Sequence, residues 1–209
     1  MPQLPRCLPD CIMERGAMLN VEIQDGVARV TLNRPELRNA FDDVLIRELQ
    51  AAFTRLGSDK AVRVLVLAGN GPAFCAGADL NWMKRMAGYG YDENVADAQA
   101  LATMLATLDR IPKPTIARVH GPVFAGGTGL VAACDIAVGT PEAKFCLSEA
   151  KLGLSPATIS PYVIRAMGSA WRGVTSSPPR CSTRRRPTAS ACCRRSFLRR
   201  HLTRRLTAL

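Results

Sequence analysis

The pattern of apolar and polar positions divides the chain into short elements. Val21-Glu22-Ile23 and Val27-Ala28-Arg29-Val30-Thr31-Leu32 flank Asp25-Gly26. That dipeptide suits the left-handed positions of a tight turn, so the pattern predicts an antiparallel hairpin. Asn33-Arg34-Pro35 ends its second strand. Over residues 42–56, Val44, Leu45, Leu49 and Phe53 recur at near-helical spacing, which predicts an amphipathic helix. A continuous apolar run at 62–67 predicts a buried strand. Residues 78–86 begin a helix with Trp82, Met83 and Met86 as its packing stripe, and residues 88–92 break it. An alanine-rich helix follows over 95–108. Ile111-Pro112-Lys113-Pro114 stops it and leads into a strand at 115–119. A glycine-rich stretch then turns the chain into the apolar run 130–134, and strands follow at 135–139 and 144–147. Strands alternating with helices argue an α/β fold.

Length and charge narrow this picture. A chain of 209 residues builds one domain with a substantial core. No apolar run reaches a membrane span. Residues 1–16 hold three prolines, two cysteines and no apolar central run, so they do not read as a signal peptide. With Met13 and Met18 just ahead of the first strand, residues 1–17 are expected to be a disordered leader. The formal net charge is +11, and its location decides what it means. Eleven of the 28 basic residues are arginines within 172–209, where no acid occurs, leaving seventeen basic against seventeen acidic residues in 1–171. The body is neutral, and the excess belongs to the tail. Of eight cysteines, only Cys75, Cys134 and Cys146 fall in the body, each beside apolar residues, which fits buried reduced thiols. Two histidines and no Cys-x-x-Cys pair make a metal site unexpected.

The candidate chemistry centres on His120-Gly121-Pro122-Val123-Phe124-Ala125-Gly126-Gly127-Thr128-Gly129-Leu130. Read as strand, glycine-rich turn and helix, it lets backbone approach a ligand closely. The free N–H groups of a helix start attract a phosphate or a developing oxyanion. The alternative is a tight turn packed on a neighbouring strand.

Four motifs carry a resemblance when taken together. Asn33-Arg34-Pro35 with Asn39-Ala40, then Phe74-Cys75-Ala76-Gly77-Ala78-Asp79-Leu80, then residues 121–135, then residues 145–153 stand in the order and spacing of the crotonase (enoyl-CoA hydratase/isomerase) superfamily. The chain resembles that family over residues 19–168. Leu147-Ser148-Glu149 and Ile159-Ser160-Pro161 look most like its bacterial methylglutaconyl-CoA hydratase branch, which belongs to leucine degradation. The resemblance implies a spiral of ββα units over residues 18–170, with a C-terminal helical region that helps form trimers. It implies a cytoplasmic enzyme acting on an acyl-CoA, as a homotrimer or a dimer of trimers, with coenzyme A as part of the substrate and no separate cofactor.

By the same resemblance the backbone N–H groups of Ala78 and Gly126 hold the thioester oxygen, and Glu149 is the acid–base group. Charge develops on that oxygen as water adds to the conjugated alkene, so two aimed donors are what the reaction needs. A carboxylate beside an apolar pocket has its pKa raised toward neutrality, where proton transfer works best. Arg38, Ala40, Ala76, Asp79 and Leu80 match positions along the CoA moiety. Arg34, Arg38 and Lys84 are candidates to approach its phosphates, with solvated surface charge as the alternative. Asp79 also reads as a turn or cap residue, Asp135 as a helix–strand junction and His120 as a packed, hydrogen-bonded imidazole. Residues 152–164 are expected to line the acyl pocket. The chain departs from the family's two-glutamate pattern at Gly129, where the better-known hydratases carry a second glutamate. Gly129 cannot orient water; it would leave room for substrate bulk, and it is compatible with one-base isomerases and with hydratases of branched, carboxylated substrates.

From Trp171 the text changes character. Arg-Arg-Arg-Pro and Cys-Cys-Arg-Arg lack periodicity, and acids vanish. Under GC-rich codons, displacing the frame of residues 171–197 by two bases yields Ala-Arg-Arg-Tyr-Phe-Leu-Thr-Ala-Glu-Val-Phe-Asp-Ala-Ala-Glu-Ala-Tyr-Arg-Ile-Gly-Leu-Leu-Gln-Glu-Ile-Val. That resembles the helix and strand which the family carries after this point. Residues 171–209 are therefore expected to be an out-of-frame, disordered tail, with the C-terminal helical region missing or replaced. Three functions stay open: a CoA-thioester hydratase or isomerase, a catalytically silent relative, and a basic nucleic-acid-binding protein acting through the tail. A neutral body and a tail without interleaved aromatics argue against specific nucleic-acid recognition.

Overall fold

The computed structural model describes residues 12–16 and 18–168. Its main sheet has six strands: β1 (Ile12–Arg15), β2 (Leu19–Gln24), β3 (Val27–Leu32), β4 (Val64–Gly69), β5 (Thr115–Val119) and β7 (Ile136–Gly139), in that order across the sheet. A second sheet pairs β6 (Pro122–Phe124) with β8 (Lys144–Cys146). The helices are α1 (Asp43–Ser58), α2 (Leu80–Met86), α3 (Tyr91–Asp109), α4 (Gly126–Ala133) and α5 (Ser160–Met167).

Local chemistry explains these elements. In β2, Leu19, Val21 and Ile23 point inward while the residues between them are half-buried. Asp25 and Gly26 both take positive φ, 52° and 78°, so the β2–β3 hairpin closes as its dipeptide requires. The Asp42 side chain caps α1 by accepting from the Leu45 N–H at 2.8 Å. Leu45, Ile46, Leu49, Ala52, Phe53 and Leu56 form the buried face of α1. That helix is the crossover that lets β4 lie parallel to β3, and β5 and β7 continue in parallel. At the far end of α1, Lys113 donates to the carbonyls of Leu56 and Asp59. The Asp135 carboxylate accepts from both the N–H and the hydroxyl of Thr115, which fastens the entry of β7 to that of β5.

Four expectations need correction. The 1–17 leader is not wholly without structure. Ile12–Arg15 pairs antiparallel with β2, and Glu14 meets Arg55 on α1 at 2.7 Å, because the open edge of β2 accepts another strand. The remaining leader positions, and the whole 169–209 segment, lie outside the described residues. Helix α3 begins at Tyr91 rather than 95, because the Glu93 carboxylate accepts from the Gly90 N–H at 2.8 Å and starts the helix early. Helix α2 begins at Leu80 rather than 78, since Asp79 is its cap. The clustered glycines do not form the turn. Gly126, Gly127 and Gly129 all lie inside α4, every residue of which is buried. The turn is made by Gly121 and Ala125, both at positive φ. Among the described residues no helix is long and apolar enough to cross a membrane.

Candidate active site

The segments that carry the candidate residues are stitched together by backbone. Phe41 and Ala78 form an isolated parallel bridge: the Phe41 N–H donates to the Gly77 carbonyl at 2.7 Å, and the Asp79 N–H donates to the Phe41 carbonyl at 2.6 Å. Both peptides flanking Ala78 therefore face Phe41, and the alternation of an extended chain turns the Ala78 N–H the other way. The N–H of Ala76 donates to the Arg38 carbonyl at 3.0 Å, so 38–41 and 75–80 run side by side.

Helix α4 supplies the second donor. Gly126 is its first residue, and an N–H there has no carbonyl one turn back within the helix. Ala125 precedes it at φ 47° and ψ −122°, a strained conformation for a residue with a side chain. It is held by its N–H to the Cys146 carbonyl and by its carbonyl to the Thr128 N–H, both at 2.9 Å. Gly77, at φ 97°, packs against it: a Cβ on Gly77 would lie 2.9 Å from the Ala125 Cβ. The residues preceding Ala78 and Gly126 thus touch each other.

Glu149 follows from the same pairing. Strand β6 pairs with β8, placing Phe124 opposite Cys146, and Glu149 stands three residues on in a 3-10 turn over Ser148–Leu152. Gly153, at φ 71°, closes that turn, and the Leu154 N–H donates to the Glu149 carbonyl at 3.0 Å. The Glu149 carboxylate is half-buried, and its Oε2 is buried without a hydrogen-bond partner. Burial pushes its pKa above the ordinary carboxylate range, against a smaller lowering by a backbone hydrogen bond. An acid so placed, next to the start of α4, can hold a proton nearer neutrality and pass it to a bound molecule.

An arginine holds the site's frame. Arg34 donates to Asp42 at 2.7 Å, to Asp79 at 3.3 Å and to the Ala40 carbonyl at 3.1 Å, and all three side chains are largely buried. Asp42 caps α1, and Asp79 caps α2 through the N–H groups of Asn81 and Trp82. Arg34 therefore ties two helix starts together and is not free for phosphate, which corrects its place among the phosphate candidates. The Asp79 carboxylate is likewise engaged. Asn39, fully buried, donates to the carbonyls of Asn70, Ala73 and Phe74 and accepts from the Arg34 N–H. Arg38 and Lys84 are exposed, and Leu80 is 72% exposed at the rim. His120 is hydrogen-bonded to the Gly71 carbonyl at 2.8 Å.

Gly129 behaves differently from its expected role. A Cβ there would lie 2.4 Å from Cγ2 and 2.9 Å from Cβ of Ile159, with Leu105 at 3.7 Å. The space beside Gly129 is filled by the Ile159 side chain, so it is not room for substrate bulk. Ile159 is 2% exposed. No local signal could have linked residues thirty apart in sequence. Phe41 also escaped the sequence reading, although Asn39-Ala40 beside it did not. Burial pushes the Cys75 thiol up to about 12 and raises that of Cys134 as well, so both are inert packing groups. Among the described residues no three His, Cys, Asp or Glu side chains converge as a metal-binding set.

Comparison with known proteins adds to this geometry. The enoyl-CoA hydratase/isomerase family pattern matches residues 22–172. An enoyl-CoA hydratase of Alternaria alternata is 39% identical over 157 residues, covering 75% of this chain and 51% of that protein. A hydroxycinnamoyl-CoA hydratase-lyase of Pseudomonas fluorescens is 40% identical over 147 residues, covering 69% and 53%. The crystal structure of an enoyl-CoA hydratase from Shewanella pealeana superposes with a TM-score of 0.75 at 44% identity, over 77% of this chain and 61% of that one. The chain spans about half the length of the curated relatives it matches.

Proposed function

We propose, from the premise that this chain belongs to the enoyl-CoA hydratase/isomerase family, that it hydrates a 2-enoyl-CoA thioester with a branched acyl group of the methylglutaconyl type. The observation that carries the reading is the convergence of three features: two outward backbone N–H groups, at Ala78 and Gly126, and one half-buried glutamate with an unpartnered oxygen.

In this reading the thioester oxygen accepts from both N–H groups. Glu149 takes a proton from water as the water oxygen bonds to Cβ of the alkene. The alkene electrons move toward the thioester and leave an enolate whose oxygen lies between the two donors. The protonated Glu149 then returns its proton at Cα, so H and OH have added and the enzyme is restored. The dipole of α4 adds favourable potential at the oxygen. A pKa raised by burial suits a group that must be both base and acid within one turnover. Arg38 and Lys84, exposed at the rim, are the cations left to meet the CoA phosphates, and Ala40, Ala76 and Leu80 lie along the same edge. The coenzyme A is part of the substrate, and no separate cofactor enters these steps. In the intact frame the assembly is a cytoplasmic homotrimer or dimer of trimers.

The Ile159 side chain beside Gly129 favours a second reading. With one carboxylate, the same site can move a double bond: Glu149 takes a proton from Cα of a 3-enoyl-CoA, the donors hold the dienolate, and the proton returns at Cγ. Product analysis decides. The protein, made in the printed and in the displaced frame, is incubated with a branched 2-enoyl-CoA and with a 3-enoyl-CoA, and the products are separated by mass and retention. A 3-hydroxyacyl product is expected. Shifted double bonds without any hydroxyacyl product would replace hydratase by isomerase, and no conversion of either would leave a silent relative.

A further inference from the structure

We infer that Phe41 is a positioning residue that sets the spacing between the two N–H donors; this rests on reading Ala78 and Gly126 as the groups that hold the thioester oxygen. The backbone of Phe41 grips one donor and its ring grips the other. The main-chain bridge already described fixes the peptides on either side of Ala78. The ring lies against the α carbon of Gly126: a Cβ there would sit 2.5 Å from Cε2 and 2.9 Å from Cδ2. Gly126 must lack a side chain for this contact to exist.

Phe41 is well placed to act as a spacer because it is itself immobilised. It is 2% exposed. The carbonyl before it accepts from Arg34, and Asp42 after it caps α1 and is ion-paired to the same arginine. A phenyl ring packed at interior density does not compress, so its width is handed on to the start of α4. Hydrogen bonds to a developing oxyanion depend steeply on placement, and a shift of a fraction of an ångström is enough to weaken them. The ring bears no polar group and stands behind the donors, so its influence is wholly through position.

The test uses a chromophore. The CoA thioester of dimethylaminocinnamic acid absorbs at longer wavelength when donors polarise its carbonyl, and the full chain is titrated with it. Phe41→Leu should bind this ester within about threefold of the unchanged protein, since the CoA contacts are elsewhere. Its red shift should fall by half or more, and its turnover on the enoyl-CoA substrate should fall by about tenfold to a hundredfold. Phe53→Leu, the same truncation at a fully buried position on α1, should cost similar stability and leave the red shift unchanged. If Phe41→Leu does not fold, Phe41→Met keeps more of the volume on a flexible chain and is read in the same way. A full red shift in the Phe41 variants overturns the inference and leaves the two donors standing. No red shift in the unchanged protein overturns the donors themselves, and Phe41 with them.

Discussion

At the residue scale, Glu149 combines the features that most constrain the chemistry. Its Oε2 has lost water without gaining a partner, and burial raises its pKa. The consequence for stability has a definite sign. A raised pKa in the folded state means that folding favours the protonated form. The carboxyl is therefore no burden below the ordinary glutamate value of about 4.3, and its cost grows as pH rises through the raised folded value. Glu149→Gln keeps the shape and removes the charge. It should unfold at a higher temperature than the unchanged protein at neutral pH, with the gap closing below about pH 4. Its turnover should fall by about a hundredfold to ten-thousandfold while CoA-ester binding stays close to normal. The limb of the pH–rate profile that reports the base should disappear with it. Thermal unfolding across pH, run beside steady-state kinetics, checks both parts. Turnover near normal in the folded variant would move the base elsewhere.

At the scale of elements, α4 shows what can and cannot be read from a sequence. The β2–β3 hairpin, the α1 stripe and the parallel strand at Val64–Gly69 were all legible, because alternation, helical spacing and an Asp-Gly turn act between near neighbours. The three glycines of α4 were legible as a cluster and illegible in purpose. Each lacks a side chain because another element presses on it: Phe41 on Gly126, Cys75 on Gly127 and Ile159 on Gly129. Those contacts join residues thirty to eighty-five positions apart, and no local pattern encodes them. The same distance hid the engagement of Arg34, which lone-residue reasoning left as a surface cation. The Gly129–Ile159 contact can be tested directly. Gly129→Glu forces a large side chain onto Ile159 and should cost about 1–3 kcal/mol of unfolding free energy or more, as overpacking does. Adding Ile159→Ala should recover at least half of that loss and raise the share of hydrated product, since a second carboxylate then has room beside Glu149. Denaturant titration and product analysis read the two effects. A Gly129→Glu protein as stable as its parent would show that the space is not filled as described.

At the scale of the whole molecule, charge and family alignment change at the same place. The family match ends at residue 172, and from Arg172 onward every charged residue except His201 is an arginine. Residues 1–171 carry equal numbers of acidic and basic residues, so the folded body has no net attraction for polyanions. Any affinity of the printed chain for nucleic acid should come from residues 172–209 alone. It should be indifferent to sequence and fall steeply with salt, because neutralised phosphates release counterions; the logarithm of the binding constant drops by about 0.9 per contacted phosphate for each tenfold rise in salt on duplex DNA. The displaced frame replaces those arginines by a mixed, acid-containing segment that resembles the family. Restoring it should abolish the binding and yield soluble, oligomeric protein that binds CoA esters, since apolar surface meant for later helices is then covered. The measurement is a salt titration of duplex binding on both frames, with size-exclusion chromatography and CoA-ester binding alongside. Salt-resistant, sequence-selective binding by the printed chain would sink the frame reading, because counterion release cannot distinguish one duplex from another.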